Sequence, residues 1–145
     1  MTMSIEEQLL SPDYRPSNDE PYMNAMMLTY FKTKLMKWRA ELLQGSMDTI
    51  HLMQTETREE PDIADRASTE TDRGIELRTR DRERKLISKI DEALQRIDDG
   101  SYGYCEETDE PIGVARLDAR PIATLSIEAQ EMHERLEKTQ RDHRV

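Results

Sequence analysis

The chain has 145 residues, of which 35% are hydrophobic and 36% are charged. Average globular proteins carry about 45–50% apolar and about 25% charged residues, so this composition excludes a single, fully buried globule. The net charge is −10, which disfavours direct sequence-specific DNA binding because DNA phosphates repel an acidic surface.

Cys105 is the only cysteine, which excludes an internal disulfide bond and a zinc site built from cysteines alone. The sequence has no apolar run of the roughly 18 residues that a membrane-spanning helix needs. It also has no basic and apolar leader at its N-terminus. We therefore expect a cytoplasmic protein that does not contact membranes.

Residues 1–21 predict an acidic N-terminal arm. The segment contains Pro12, Pro16 and Pro21, and its acidic residues outnumber its single basic residue, Arg15. Such a composition buries little apolar surface, so we expect a loosely packed arm.

The next segment predicts a long helix that begins after Asn24, a residue type that favours the N-cap position. Apolar and small residues then recur at alternating spacings of four and three, which is the heptad seam of a coiled coil. The seam consists of Phe31, Leu35, Trp38, Leu42, Gly45, Thr49 and Leu52.

Pro61 ends this helix, and a second helix is predicted to run to Asp99, with Gly100 as its stop. Its seam is dense near the end and thin near the start. The dense part consists of Leu86, Ile90, Leu94 and Ile97, and the thin part of Ala67, Gly74 and Leu77. The two helices predict an antiparallel coiled-coil hairpin over residues 22–100 with its tip at residues 61–67. Antiparallel pairing places Leu86, Ile90 and Leu94 opposite Trp38, Leu35 and Phe31.

Residues 101–145 predict a small globular lobe. Residues 102–104 and 112–114 favour two short strands around a turn, that is, a short β-hairpin. Residues 126–143 predict a C-terminal helix with Ala129, Met132 and Leu136 on its apolar face. The expected fold class is therefore mostly α, with a long antiparallel coiled-coil hairpin and a small lobe.

Two features of the second helix are candidate functional residues. Asp62 and Asp65 lie three positions apart, so both can face one side of the first helical turn. They either cap the helix or form an acidic tip of the hairpin that enters a partner. Further along, four basic residues share one face, which is either a solvated surface or a docking stripe for an acidic partner or an anion. This stripe consists of Arg78, Arg82, Lys85 and Lys89.

No catalytic set can be assembled from the remaining residues. A Ser-His-Asp or Cys-His arrangement, a Gly-rich phosphate loop and a zinc-binding helix are all missing from the sequence, so we do not expect an enzyme. Cys105 as a redox sensor is disfavoured, because no second cysteine is present to resolve an oxidised thiol.

Several motifs resemble the DksA/TraR family of bacterial RNA polymerase regulators, and together they span residues 20–130. They are residues 20–24 (EPYMN), Trp38-Arg39, residues 61–67 (PDIADRA), residues 76–87 (ELRTRDRERKLI), residues 102–105 (YGYC), Ile112-Gly113, Arg116-Leu117 and residues 119–121 (ARP). The resemblance implies a hairpin that enters the secondary channel of RNA polymerase and alters initiation, acting with guanosine tetraphosphate in the stringent response.

The resemblance also assigns residues. The tip residues Asp62, Asp65 and Ala67 approach the polymerase active site. Arg78, Arg82 and Lys85 are expected to dock on polymerase. Lys89 and Arg120 contact the nucleotide at the polymerase surface, whereas a third basic position of the family is Gln130 here. We expect a monomer with no other cofactor.

The chain departs from the family at a four-cysteine zinc site. The matching positions are Cys105, Thr108, Ser126 and Ala129, so we expect a zinc-finger-like lobe without zinc. Two substitutes for the metal are predicted: a Thr108–Ser126 hydrogen bond and an apolar cluster. The cluster consists of Tyr104, Ile112, Val114, Leu117, Ile122, Leu125 and Met132.

A transcript-cleavage stimulating factor is the alternative function. Such factors use a similar acidic hairpin tip to hold a catalytic magnesium ion, and Asp62 and Asp65 have suitable spacing for this. The Ala67 motif favours the DksA-like function.

Overall fold

The computed structural model describes the backbone of residues 12–56 and 63–143, with the side chains of 49, 53, 55–56, 63–66 and 142–143 left aside. This part of the chain contains helices α1 (Ala25–Glu56), α2 (Ile63–Asp99), α3 (Val114–Ala119) and α4 (Ile127–His143). None of these helices is long and apolar enough to cross a membrane. The chain divides into two compact units, Met1–Leu35 with Ala93–Val145, and Met36–Glu92.

Helix α1 begins where the sequence predicts. The Asn24 side-chain oxygen accepts a hydrogen bond from the Met27 backbone N–H at 2.8 Å, which satisfies one of the free donors at a helix start. The Asn24 amide in turn donates to Glu20 at 3.0 Å, and Glu20 also accepts a hydrogen bond from the Tyr14 hydroxyl. Residues 14–24 are therefore tied to the first turn of α1 through side chains.

Helix α2 ends at Asp99, as predicted. Gly100 has φ 85°, a left-handed conformation that glycine adopts without a side-chain clash. The next N–H groups, of Ser101 and Tyr102, return to the Arg96 carbonyl at 3.0 and 3.1 Å. These hydrogen bonds close the last turn of the helix.

The core of the unit formed by Met1–Leu35 and Ala93–Val145 is built from both helix bases and the lobe. Its fully buried side chains are Met27, Phe31, Leu35, Ala93, Tyr102, Cys105 and Leu117. Inside this core, the Tyr102 hydroxyl donates to the Pro121 carbonyl at 2.8 Å, so its polar atom is satisfied. The predicted seam residue Leu94 is half-buried, and its neighbour Ala93 is fully buried.

The lobe has less strand than the sequence predicted. Within the described residues, the two expected strands reduce to one antiparallel bridge between Tyr104 and Pro111. The Ile112 N–H donates to the Gly103 carbonyl at 2.8 Å, but pairing then stops at Gly113, whose φ is 108°. This turn redirects the chain, and Val114 begins α3 instead of continuing a strand.

The predicted C-terminal helix is present as α4, but its apolar face differs from the prediction. Ala129 in the first turn is buried, whereas Met132 and Leu136 are each 56% exposed. The helix packs at its start and extends beyond the core, so the later apolar positions face solvent.

The unit Met36–Glu92 contains the paired middle parts of α1 and α2. The Arg39 guanidinium donates to the Asp91 carboxylate at 2.8 Å, which joins an early residue of α1 to a late residue of α2. This pairing is antiparallel, as predicted for a hairpin.

The seam of α2 differs from the prediction in its first half. Leu77 is 51% exposed and Ala67 is exposed, so the prediction is wrong at these two positions, whereas Gly74 is partly buried. The partly or fully buried residues form a wider stripe, and nine of them follow a heptad register that includes charged residues: Thr69, Arg73, Glu76, Arg80, Glu83, Ile87, Ile90, Leu94 and Ile97. The others are Gly74, Thr79, the predicted seam residue Leu86, Ala93 and Arg96. In α1, the predicted seam residue Leu52 is also exposed, at 57%.

Candidate functional site

The basic stripe of α2 faces solvent along its whole length. Arg78, Arg82, Lys85 and Lys89 are all exposed. They lie on the side of the helix opposite the seam residues Arg80 and Glu83, because Arg78, Arg82 and Lys85 are each two positions from one of these residues, and two positions turn a helix by about 200°. The stripe is therefore free of packing against α1 and presents four cations on one line.

Two of the four cations have a partner within the helix. Lys85 forms an exposed ion pair with Asp81 at 3.3 Å, and the Arg78 Nε donates to the Gly74 carbonyl at 3.2 Å. Among the residues that the structure describes, no hydrogen bond or ion pair involves Arg82 or Lys89. Exposed pairs of this kind are weak, so the stripe can exchange them for an acidic partner at little cost.

The acidic tip is only partly described. Asp62 lies outside the described residues, and Asp65 lies in the first turn of α2 with its side chain outside the description. Ala67 is exposed. The assignment of these three residues to the tip therefore stays a prediction.

The two predicted nucleotide contacts, Lys89 and Arg120, are both exposed. Lys89 belongs to the unit Met36–Glu92 and Arg120 to the other unit. Gln130, at the third position, donates to Glu134 at 3.3 Å. The structure thus leaves both cations accessible, and their joint role stays a prediction.

Of the positions that match zinc ligands, Thr108 and Ser126 contact the thiol of Cys105, a residue that is 1% exposed, and Ala129 contacts Ser126. Burial raises the pKa of this thiol. Hydrogen bonds from the Thr108 hydroxyl and from the backbone N–H groups of Ser126, Glu107 and Thr108 outweigh burial and lower the pKa to about 6. A pKa of about 6 favours the thiolate form of Cys105 at neutral pH.

The predicted Thr108–Ser126 hydrogen bond is replaced by two others. The Thr108 hydroxyl points to Cys105, and the Ser126 side-chain oxygen accepts a hydrogen bond from the Ala129 N–H at 3.2 Å. Ser126 thereby becomes the N-cap of α4. The reason is local: a hydroxyl just before a helix meets that helix's free N–H groups first.

The donor set around Cys105 does not fit a structural zinc ion. Such sites need four ligands from cysteine, histidine or carboxylate, whereas Ala129 has no donor atom and the Ser126 oxygen already caps α4. In the described part of the chain, no group of three or more potential ligand residues is placed to hold a metal.

Side chains that the sequence did not single out hold the lobe together. The Tyr22 hydroxyl donates to the Gly103 carbonyl at 2.6 Å and accepts from the Gly113 N–H at 3.0 Å, so it joins both ends of the turn. Gly103 also permits the close approach of Met23, because a Cβ there would lie 2.9 Å from the Met23 methyl carbon. Of the predicted apolar cluster, Ile112, Val114 and Leu117 are buried, but Tyr104 is 37% and Met132 56% exposed.

Two further links hold the lobe, one to α1 and one within the lobe itself. Lys34 and the Tyr30 hydroxyl both bond Asp118, at 2.8 and 2.6 Å, and these hydrogen bonds lower the pKa of the Asp118 carboxyl. On the other side, His133 of α4 pairs with Glu107, which raises the pKa of the histidine. Neither link has a signal in the sequence, because each partner lies far along the chain.

Comparisons with known proteins agree with this architecture. A family model described as the N-terminal domain of the DnaK suppressor protein DksA matches residues 27–97, and one described as the prokaryotic dksA/traR C4-type zinc finger matches residues 100–135. The structure of transcription factor DksA2 from Pseudomonas aeruginosa superposes with a TM-score of 0.77 at 40% identity, covering 92% of this chain and 98% of that one.

Two curated relatives show the same similarity in sequence. The RNA polymerase-binding transcription factor DksA of Caulobacter vibrioides (strain NA1000 / CB15N) is 65% identical over 130 residues, which is 90% of this chain and 92% of that protein. The protein of the same name from Escherichia coli K12 is 42% identical over 125 residues, or 86% and 83% of the two chains.

The fold and the site define a helical-hairpin protein with a zinc-finger-like lobe in which other residues occupy three of the four ligand positions. Together with these relatives, this places the protein plainly: the chain belongs to the DksA family.

Proposed function

We propose that the protein binds RNA polymerase and regulates transcription initiation by inserting its hairpin into the secondary channel. The observation that carries the proposal is the exposed basic stripe on α2, in a chain 65% identical to a protein named as an RNA polymerase-binding transcription factor. In this proposal Arg78, Arg82 and Lys85 dock on an acidic polymerase surface, where arginine can form paired hydrogen bonds with carboxylates.

The tip is the part of the hairpin that acts. Asp62, Asp65 and Ala67 approach the active site of the polymerase and alter the stability of initiation complexes. In this proposal the hairpin of residues 22–100 has the regulatory role. The arm of residues 1–21 and the lobe of residues 101–145 position it.

Guanosine tetraphosphate acts as co-regulator at the interface with polymerase. Lys89 and Arg120 supply two cations for its phosphates, and both side chains are exposed. Gln130 supplies no charge, so the nucleotide is bound less strongly than by a member with a basic residue there. The protein acts as a monomer in the cytoplasm.

The test is co-purification with RNA polymerase, followed by transcription from a ribosomal RNA promoter with and without the nucleotide. The variant Arg78→Ala/Arg82→Ala/Lys85→Ala should fold normally and lose binding. A matched control, Lys37→Ala/Arg84→Ala/Lys138→Ala, removes the same charge from exposed positions away from the stripe and should bind as the wild type does. Equal loss of binding in both variants would reduce the stripe to a general charge effect.

Stimulation of transcript cleavage is the second candidate, because Asp62 and Asp65 have the spacing to hold magnesium. Stalled elongation complexes separate the two functions. Cleavage that depends on added protein and magnesium would support this candidate, whereas inhibition of initiation without cleavage supports the regulator.

A further inference from the structure

The middle of α2 carries charged residues at seam positions where a coiled coil ordinarily has apolar ones. Arg73, Glu76, Arg80 and Glu83 are partly buried, and they are spaced by three, four and three. The same register continues into Ile87 and the fully buried Ile90. We call these four residues the charge ladder. Its signs alternate along the helix.

Each member of the charge ladder has a polar atom that lacks a partner. The Nε atoms of Arg73 and Arg80 and the Oε2 atoms of Glu76 and Glu83 have almost no contact with solvent. Within the part of the chain that the structure describes, none of these four atoms forms a hydrogen bond. A buried polar atom without a partner has lost its hydration and gained nothing in return, so the closed packing of this segment is costly.

The neighbouring segment of the same unit has no such cost. From Ile87 to Ile90 the seam is apolar, and Arg39 and Asp91 bond across the two helices at 2.8 Å. One helix thus contains a well-held segment and a poorly held one in direct succession. Regions with few buried apolar contacts are those that open locally in native proteins.

We propose that the charge ladder makes residues 72–84 a local-opening element, in which α2 separates from α1 or repacks against it while the apolar segment stays closed. Opening gives the four buried atoms water or a new partner. A hairpin with such an element can adjust its packing when its outer face docks, because the seam contributes little resistance. The adjustment on docking rests on the proposed function, whereas the local opening of residues 72–84 does not.

Hydrogen exchange on the free, full-length protein tests the opening. Amides of residues 72–84 should be protected at least about tenfold less than those of residues 86–92. The variant Arg80→Met/Glu83→Leu replaces two ladder residues with apolar ones at unchanged net charge, and it should raise protection of residues 72–84 by about tenfold. The control Glu70→Leu/Arg84→Met makes the same exchange at exposed positions and should leave protection as it is. Equal protection of the two segments in the wild type, or no gain in the ladder variant, would overturn the proposal.

Transcription assays test the use of the opening. The ladder variant keeps Arg78, Arg82 and Lys85, so it should still bind polymerase but inhibit initiation several-fold less than the control. Raised protection together with full inhibition would overturn the role in docking. If neither the wild type nor any variant binds polymerase, the proposed function fails, and the exchange data still decide whether the segment opens.

Discussion

Two stretches of α2 share one heptad register but bury opposite chemistry. Ile87 and Ile90 close the seam with apolar side chains, whereas Arg80 and Glu83, a turn or two earlier, bury polar atoms that have no partner among the described residues. Apolar burial in the hairpin is therefore concentrated near its base. The middle of the hairpin keeps its helical register while its packing stays weak.

The exposed faces of these stretches differ less than the buried ones. The basic stripe continues from Arg78 to Lys89 across the boundary between the two kinds of seam. A docking surface that spans both stretches can therefore be held firmly at one end and adjust at the other. Substitutions in the hairpin and the lobe test this contrast, and their expected effects on stability range from several kcal/mol to less than about 0.5 kcal/mol.

Ile90→Ala should cause the largest loss. Ile90 is fully buried, so removing its side chain should lower the free energy of unfolding by roughly 2–5 kcal/mol. The matched change in the weakly packed stretch, Leu77→Ala, removes an exposed side chain and should cost less than about 0.5 kcal/mol. Urea denaturation measures both. Similar midpoint shifts in the two variants would contradict the exposed position of Leu77 and the seam assignment in this stretch.

Tyr22→Phe should cause the next largest loss of stability. The substitution removes the hydroxyl that bonds Gly103 and Gly113 and leaves the Gly113 N–H without that acceptor, at a cost of about 1–3 kcal/mol. Tyr104→Phe is the control, because that ring is partly exposed and packs against Tyr22 edge to face. Thermal denaturation of the two variants should separate them clearly, and equal melting temperatures would show that the Tyr22 hydroxyl does not hold the lobe.

Stability should also depend on pH through Cys105. Its pKa is about 6 in the folded state and near 9.0 otherwise, so the unfolded state binds more protons between these values. The free energy of unfolding should therefore rise by about 1 kcal/mol from pH 6 to pH 7. This contribution should disappear as the pH is lowered below 6, where the thiolate of the folded protein takes up a proton. Cys105→Ser should abolish this rise.

His133 acts in the opposite direction over part of the same range. Glu107 raises its pKa, so its contribution is present at low pH and is lost as pH rises through the folded value. Both side chains are nearly half exposed, which keeps this contribution small. The variant His133→Gln should steepen the pH dependence. A wild-type profile that is flat between pH 6 and pH 8 would contradict the thiolate assignment.

Asp62→Asn/Asp65→Asn should have the smallest effect on stability. Asparagine caps helices about as well as aspartate, so denaturation midpoints should change by less than about 0.5 kcal/mol in free energy. If the carboxylates act electrostatically near the polymerase active site, the variant should bind polymerase and fail to inhibit sensitive promoters. Full inhibition by the folded variant would limit both residues to a role as helix caps.

Local sequence signals predicted α1, α2 and α4, together with the start of α1 and the end of α2, but they did not predict the short helix α3. Asn24 and Gly100 mark the start of α1 and the end of α2 because capping and left-handed backbone are local properties of single residues. The spacing of Arg78, Arg82, Lys85 and Lys89 likewise fixed their common face, since a helix has a constant period. The family resemblance, carried by motifs along the whole chain, gave the architecture of hairpin and lobe.

Only the tertiary structure decided which residues the helices and the lobe bury. The spacing of apolar residues predicted that Leu77 faces α1, but Leu77 is exposed. The heptad register that starts from the buried Ile90 instead places Glu76 and Arg80 at the seam, because the packed end of a helix fixes the rotation of the whole helix. The bonds of Tyr22 to Gly103 and of Glu107 to His133 join residues 81 and 26 positions apart. Such contacts depend on how the chain folds back on itself, and local sequence patterns carry no information about that.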